Sequence, residues 1–368
     1  METSGNKEVR VSGQAFYNAV KQLNAFTGDK SFQRAQIRLV DGLLEISTKT
    51  NDESVCIIRV APYGHCEGEN SCAILVNELG PKLRQCANYD ITITFGDERI
   101  SFAHAHGSFS ISATESYFRP ILSCEYSSDE FVVRGMKATM KQVVDMTGNV
   151  FSREVMRNVF LDFSGEKAFA VASDNYTLAK IPMDCKTDGE STILLPNSVA
   201  RYLAKHCGSD VSIARADKHI RVSSDGIDFV FDDKSDEYPR YNSVIPRSGS
   251  IATKAQIATN DVKNAIIECA GKPSRKNNKC VIFRIDGANG VSVVYDDLDL
   301  GAHCAVPVPA KCDGVAQTFW VSSYNVWRIL ESAKGYENLE FGFVDENSAG
   351  VVRPESGDSV WLMAQANH

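Results

Sequence analysis

Three amphipathic segments recur along this chain: "GQAFYNAVKQL", "KATMKQVVDMT" and "TNDVKNAIIEC". Phe16, Met140 and Val262 align in them, 124 and 122 residues apart. Each segment has apolar residues at helical spacing, and each is followed by a strand, a glycine turn and a second strand. These are "IRLVDGLLEIS", "FLDFSGEKAFAVAS" and "IFRIDGANGVSVVY", with turn glycines Gly42, Gly165 and Gly287 expected to supply the positive φ of a tight hairpin. A second helical segment then appears in each unit: "VNELGPKLRQCA", "PNSVARYLAKHC" and "SSYNVWRILESAK", in which Leu83, Leu203 and Leu330 align. Alternating strands close each unit, as in Ile91, Thr92, Ile93, Thr94, Phe95 and in Phe109, Ser110, Ile111. Independent landmarks repeating together predict an α+β chain. It is read as three tandem copies of a domain with two helices and an antiparallel sheet, at residues 1–127, 128–250 and 251–368.

Between the second and third copies lies "DEYPRYNSVIP" (236–246). Pro239 and Pro246 exclude a helix or a central strand, yet Tyr238, Tyr241, Val244 and Ile245 are too apolar for a plain surface loop. "SYFRPILS" (116–123) is its counterpart after the first copy, so both are expected to be packed connectors.

The chain has no run of about 18 apolar residues, and "METSGNKEVR" has no apolar core of a secretory signal, so a cytoplasmic protein without membrane contact is expected. Its eleven cysteines include no C-x-x-C pair and read as reduced, mostly buried thiols. His104 and His106 share one face of a strand but lack an obvious third ligand, so no metal and no cofactor are expected. No phosphate-binding glycine loop, nucleophile elbow or H-E-x-x-H occurs, and no catalytic residues are assigned.

The net charge of −8 argues against a protein that grips nucleic acid with its whole surface. Cations nevertheless recur on the helical segments, including Lys82, Arg84, Arg201, Lys205, Arg328 and Lys334, while acids cluster in turns such as "DDKSDE" and "YDDLD". A basic helical face inside an acidic rim suits tracking of a phosphate backbone without base readout; ordinary solvated helix charge is the plainer reading. The basic loop "GKPSRKNNK" (271–279) fits either a phosphate contact or a solvated loop.

Three such repeats resemble the bacterial-type β sliding clamp of DNA polymerase III. The densest likeness is in "ATMKQVVDMTGNVFSREVMRNVFLDF", "AVASDNYTLAKIPMD" and "FVFDDKSDEYPRYNSVIPRSG", with "FSISATESYFRPIL" and "SVWLMAQ" adding to it. The resemblance implies a DNA clamp fold, in which two crescent protomers join head to tail into a ring around duplex DNA. It implies a non-catalytic processivity factor whose partners are DNA, the replicative polymerase and a clamp loader. Lys30, Lys82, Arg153, Arg201, Lys205 and Arg328 would face DNA. A partner-peptide groove would be walled by Met156, Ser173, Asn175, Tyr176, Thr177, Leu178, Pro239, Ser243, Val244, Ser348, Met363, Ala364 and Gln365. Phe109 and Ile111 would meet Gly271 and Lys272 of a second copy in a homodimer.

The sequence departs from the family where partner choice is set. The usual Thr-Asp-Gly-aromatic-Arg-Leu run reads Ser173, Asp174, Asn175, Tyr176, Thr177, Leu178, and Met-Pro-x-Arg reads Met363, Ala364, Gln365, Ala366. A phage-encoded or otherwise divergent member would fit these changes. A monomeric three-repeat interaction scaffold and an unrecognised enzyme are the competing classes.

Overall fold

The protein is described by a computed structural model covering residues 8–27, 34–64, 66, 70–114, 131–187, 189–208, 210–216, 218–234, 236–286, 290–297, 301–345 and 347–366. One order of elements is run through three times. The first run is β1 (Glu8–Ser12), α1 (Gly13–Thr27), β2 (Arg34–Val40), β3 (Leu43–Lys49), β4 (Val55–Val60), β5 (Asn70–Leu75), α2 (Val76–Cys86), β6 (Asp90–Phe95), β7 (Arg99–His104) and β8 (Gly107–Ser112). The second is β9 (Phe131–Arg134), α3 (Met136–Val143), β10 (Val159–Asp162), β11 (Ala168–Ser173), β12 (Thr177–Met183), β13 (Thr192–Leu195), α4 (Asn197–His206), β14 (Asp210–Ala216), β15 (His219–Ser224) and β16 (Ile227–Asp232). The third is β17 (Thr253–Ala258), α5 (Thr259–Ala270), β18 (Cys280–Ile285), β19 (Val291–Asp297), β20 (Ala302–Val308), β21 (Ala310–Gly314), β22 (Gln317–Ser322), α6 (Ser323–Ser332), β23 (Asn338–Phe343), β24 (Gly350–Pro354) and β25 (Val360–Met363), with β21 as its one addition.

The chain forms two compact units. The first comprises Met1–Arg134 with His206–Lys234, the second Gly135–Lys205 with Ser235–His368. The first unit holds a four-stranded sheet, β1-β6-β7-β8, and an eight-stranded sheet, β5-β2-β3-β4-β16-β15-β14-β9. The second holds a nine-stranded sheet, β13-β10-β11-β12-β25-β24-β23-β17-β21, and a four-stranded sheet, β20-β19-β18-β22. Each large sheet is two smaller ones joined edge to edge, through β4 and β16 in one unit and β12 and β25 in the other.

Local chemistry accounts for the elements. On α1, Phe16, Ala19, Val20, Leu23 and Phe26 recur at helical spacing and are all buried, so the helix is held by its packed stripe. Its first residue, Gly13, donates its N–H to Tyr89 O at 3.0 Å, and a Cβ there would lie 2.3 Å from that oxygen. Helix α6 is capped by Ser322, whose hydroxyl accepts from Asn325 N at 3.1 Å. The β2–β3 hairpin turns on Asp41 and Gly42, at φ +50° and +73°, and the β15–β16 hairpin on Asp225 and Gly226, at +52° and +77°. Asp-Gly suits such turns because both residues must tolerate positive φ. Gly165 does not enter the left-handed region; that turn is instead ordered by Asp162, whose Oδ1 accepts from Ser164 N at 3.0 Å. Gly287, Lys30 and the 116–123 connector lie outside the described residues.

The proline-bearing stretch after β16 is buried by the nine-stranded sheet. Tyr238 and Tyr241 pack with Val171, Leu178, Leu194, Val351 and Leu362, and Tyr238 stacks on Phe160 with ring centroids 4.7 Å apart. The connector therefore covers the outward face of β11, β12, β24 and β25, opposite the face that carries the helices' core. In the first unit, Phe229 is fully buried with its ring 5.2 Å from that of Phe26. Phe229→Ala is expected to cost about 3–5 kcal/mol of stability through lost burial and an unfilled cavity, read from the shift of a urea unfolding curve.

Candidate functional site

The second unit carries an open groove of about 410 Å³ where the connector meets the sheet. Its floor is apolar: Met156, Leu178, Leu362 and Ala364. One wall is the β11–β12 turn, Ser173 with Asn175, Tyr176 and Thr177; the other is Tyr238, Pro239, Arg240, Tyr241 and Val244. Arg153 and Ala349 complete the lining. Tyr176 and Val244 are 64% and 57% exposed, a large apolar area left uncovered at the mouth.

The turn that shapes one wall is built on a single carboxylate. Asp174 Oδ1 accepts from Tyr176 N at 3.0 Å, Thr177 N at 2.8 Å and Thr177 Oγ1 at 2.9 Å. Ser173 Oγ donates to Thr177 O at 2.8 Å across the same turn. Asn175 sits at φ +76°, a conformation asparagine tolerates better than most side chains, which is how the loop keeps its path without the glycine expected there. The other oxygen, Asp174 Oδ2, accepts from Arg328 Nη1 at 2.6 Å, with 16% and 11% of the two side chains exposed. Arg328 Nη2 also donates to Asp145 O. Beyond the turn, Ala364 N donates to Tyr176 O at 2.7 Å, pinning the chain after β25 to the same wall.

The opposite wall has its own anchor. Tyr241 N donates to Pro239 O at 2.6 Å in a tight three-residue turn, and Tyr241 Oη donates to Asp162 Oδ2 at 2.5 Å. Burial opposes ionisation of Asp162, but hydrogen bonds from Ser164 and Tyr241 and the nearby Lys180 ammonium outweigh it and hold the carboxyl below its usual range. Burial, then the bond to Asp162, pushes the Tyr241 phenol well above its ordinary value. Lys180 is drawn down by partial burial, and its ammonium lies 4.1 Å from the Phe169 ring centroid.

Nine of the thirteen residues expected to wall a groove line this one: Met156, Ser173, Asn175, Tyr176, Thr177, Leu178, Pro239, Val244 and Ala364. Ser243 instead donates its hydroxyl to Arg240 O, and Ser348 O accepts from Gln365 Nε2 at 3.3 Å, a pair that braces the segment after β25. Met363 is fully buried on the sheet's inner face. Sequence reasoning missed Leu362, Tyr238, Arg240, Tyr241 and Ala349. Strand alternation carried the signal for Leu362, because a buried Trp361 and Met363 leave the residue between them on the groove face.

The expected DNA-facing cations are scattered. Arg153 lines the groove. Arg328 is committed to Asp174. Arg201 lies 3.4 Å from Asp145 in an exposed pair worth little, Lys205 is exposed, and Lys82 sits 5.7 Å from the Phe109 ring. Of the expected seam residues, Phe109 and Ile111 lie on β8, Gly271 ends α5 at φ +74°, and Lys272 follows it, exposed. His104 and His106 pack against the Tyr89 ring, and among the described residues no group of His, Cys, Asp and Glu could hold a metal ion.

An open apolar groove with firm walls and two arginines at its edge, lined by no carboxylate among the described residues, can hold an extended apolar segment reversibly. Asp174→Ala is expected to cost about 3–5 kcal/mol by stranding Arg328, with Asp174→Asn milder because its amide oxygen keeps the turn's hydrogen bonds; urea unfolding of both variants checks this. Asp162, with its depressed pKa, stabilises the fold above about pH 4 and loses that contribution as pH falls through its folded value. In Tyr241→Phe the carboxyl moves back up, so acid destabilisation sets in at higher pH and stability at pH 7 drops by about 1 kcal/mol, measured by urea midpoints from pH 7 to pH 3.

No protein-family profile matches the sequence, and no curated protein matches it in sequence. Its fold, however, is that of the DNA polymerase sliding clamps. A sliding clamp from Pseudomonas aeruginosa aligns over 99% of this chain and 100% of its own, with a TM-score of 0.85 and 15% identity. The DNA polymerase III beta subunit of Thermotoga maritima aligns over 98% and 99%, at 0.83 and 16%. A Caulobacter crescentus sliding clamp aligns over 99% and 100%, at 0.85 and 14%.

Proposed function

We propose that this chain, which has the sliding-clamp fold, acts as a DNA sliding clamp: a non-catalytic processivity factor that encircles duplex DNA without reading its sequence. It tethers a replicative DNA polymerase, and is loaded by a clamp loader, through the groove of the second unit. The observation that carries this reading is the two-way coverage of the clamp structures, 98–100% of both chains, at TM-scores of 0.83–0.85. The three runs of elements are taken as three clamp domains, 1–127, 128–250 and 251–368, and two copies of the chain as the complete ring in the cytoplasm. No helix among the described residues is long and apolar enough to cross a membrane.

The net charge is compatible with this reading. A ring retains DNA by topology, so its inner surface needs only weak, screened phosphate contacts, and a chain of net charge −8 can serve. On α1 and α2, Lys21, Asn24, Arg84 and Gln85 border a shallow depression of about 660 Å³. With Lys82, Arg201 and Lys205 they supply cations and amides on helices. The groove reads as a peptide site because its affinity would come from a few apolar anchors, with Arg153 and Arg240 favouring an acidic neighbour in the ligand.

The test is retention on DNA during gel filtration. With a clamp loader present, the protein should co-elute with nicked circular DNA and be lost when the circle is cut; equal retention on linear DNA, or none on either, rules the reading out and leaves the monomeric scaffold. For the groove, Val244→Asp should weaken binding of a short peptide with apolar anchors by about tenfold, ~1.4 kcal/mol, in fluorescence anisotropy.

A further inference from the structure

The third run of elements brings two cysteines together from distant parts of the chain. Cys269 lies in the last turn of α5 and Cys304 in the middle of β20, and both are free thiols. α5 packs on β19 and β20, and its buried stripe includes Val262, Ala265, Ile266 and Cys269. Ala265 and Cys269, one turn apart on that stripe, are small, so the end of the helix comes close to the sheet. The Cys269 thiol donates to Val293 O of β19 at 3.1 Å and lies 3.9 Å from Cys304 O of β20.

Strand parity puts the Cys304 side chain on the same face. Val308 is buried and Val306 and Cys304 are half-buried, while His303, Ala305 and Pro307 between them are exposed. Cys304 therefore points beneath α5, where its thiol is hydrogen-bonded to that of Cys269.

The two thiols differ as an attacking and a resolving thiol do. Cys269 is buried, and burial first, then the bond to Cys304, pushes its thiol up to about 12, so it keeps its proton. Cys304 is only half-buried, on a strand that forms the open edge of its sheet. An oxidant from solvent meets Cys304 first.

We propose that Cys269 and Cys304 are a modification site, a reversible disulfide formed by hydrogen peroxide and undone by small thiols. The Cys304 sulfur attacks one peroxide oxygen and the O–O bond breaks. The departing hydroxide and the Cys304 proton form water, and Cys304 becomes a sulfenic acid. The Cys269 sulfur then attacks the Cys304 sulfur and the S–O bond breaks. The second hydroxide takes the Cys269 proton and leaves as water. Each thiol gives up one electron, and the two electrons reduce one peroxide to two waters. In a reducing compartment the bridge lasts only while the oxidant does.

The bridge fastens the end of α5 to a strand that has a sheet neighbour, β19, on one side only. Such edges open before the strands inside a sheet do, and the bridge restrains this one. The inference stands apart from the clamp reading and needs no second chain.

The test treats the full-length protein with hydrogen peroxide, then unfolds it, alkylates it with N-ethylmaleimide and weighs it whole. The oxidised chain should carry two fewer alkyl groups, and its digest should contain a peptide linking Cys269 to Cys304. Dithiothreitol before alkylation should restore both groups. Cys304→Ser, at a half-exposed position, should lose the linked peptide, and Cys280→Ser should keep it. Amides of β20 should exchange with deuterium about tenfold more slowly in the oxidised chain and return to the starting rate with dithiothreitol. Linkage between other cysteines, or a sulfinic acid at Cys304 with Cys269 still alkylated, overturns the pair. A Cys269–Cys304 peptide with unchanged exchange in β20 upholds the pair and overturns the restraint on the strand.

Discussion

The ion pair between Asp174 and Arg328 ties the β11–β12 turn to α6 and thereby sets the shape of the groove. One carboxylate satisfies two backbone N–H groups and a hydroxyl with one oxygen and a guanidinium with the other, in a place where little water reaches either partner. Such a pair contributes modestly to net stability, because desolvation offsets much of the attraction. What it contributes is uniqueness of conformation: the turn has one way to satisfy its donors, so Tyr176 stays at the mouth and Thr177 stays in the wall. Arg328 also reaches Asp145 O, extending the same constraint into the turn after α3.

The opposite wall is rigid for a different reason. Tyr238 stacks on Phe160 and Tyr241 is hydrogen-bonded to Asp162, so the connector is fastened by aromatic packing and one strong hydrogen bond where strand pairing is denied by its prolines. Between two walls held so differently lies a floor of small and aliphatic side chains. The loop beside it is held in the same spirit: Arg157 donates to Val150 O and Ser152 O, and so keeps Phe151 presented to solvent at 94% exposure.

Much of this was legible in the sequence. Repeated helices and alternating strands follow from apolar spacing, and the aromatic content of "DEYPRYNSVIP" required a surface to bury it. The site was legible in part. Asn175, Tyr176, Val244 and Pro239 lie where a run of polar and apolar residues around a turn suggested, whereas Leu362 and Met363 trade roles because strand parity decides which of two neighbours faces out. Arg328 looked like one more solvent-facing helix cation. Its partner is 154 residues away in the chain, and no local pattern carries that distance. The small residues Cys56 and Ala179, which face Phe229 and Trp361, were equally hidden, since a small residue becomes a socket only once the register across the joint is known.

The likeness of the joints has a consequence for how the chain finds its fold. Cys56 faces Phe229 where β4 meets β16 and Ala179 faces Trp361 where β12 meets β25, so each joint sets a large aromatic side chain against a very small one and shape alone distinguishes the two poorly. The first joint carries an address that removes the ambiguity. Arg59 of β4 binds Glu45 at 3.0 Å and Asp228 of β16 at 2.5 Å. The position of Asp228 is Val360 on β25, which offers no carboxylate. Pairing β4 with β25 instead would leave the half-buried Arg59 guanidinium short of one partner, so charge sorts two strands that shape alone would confuse.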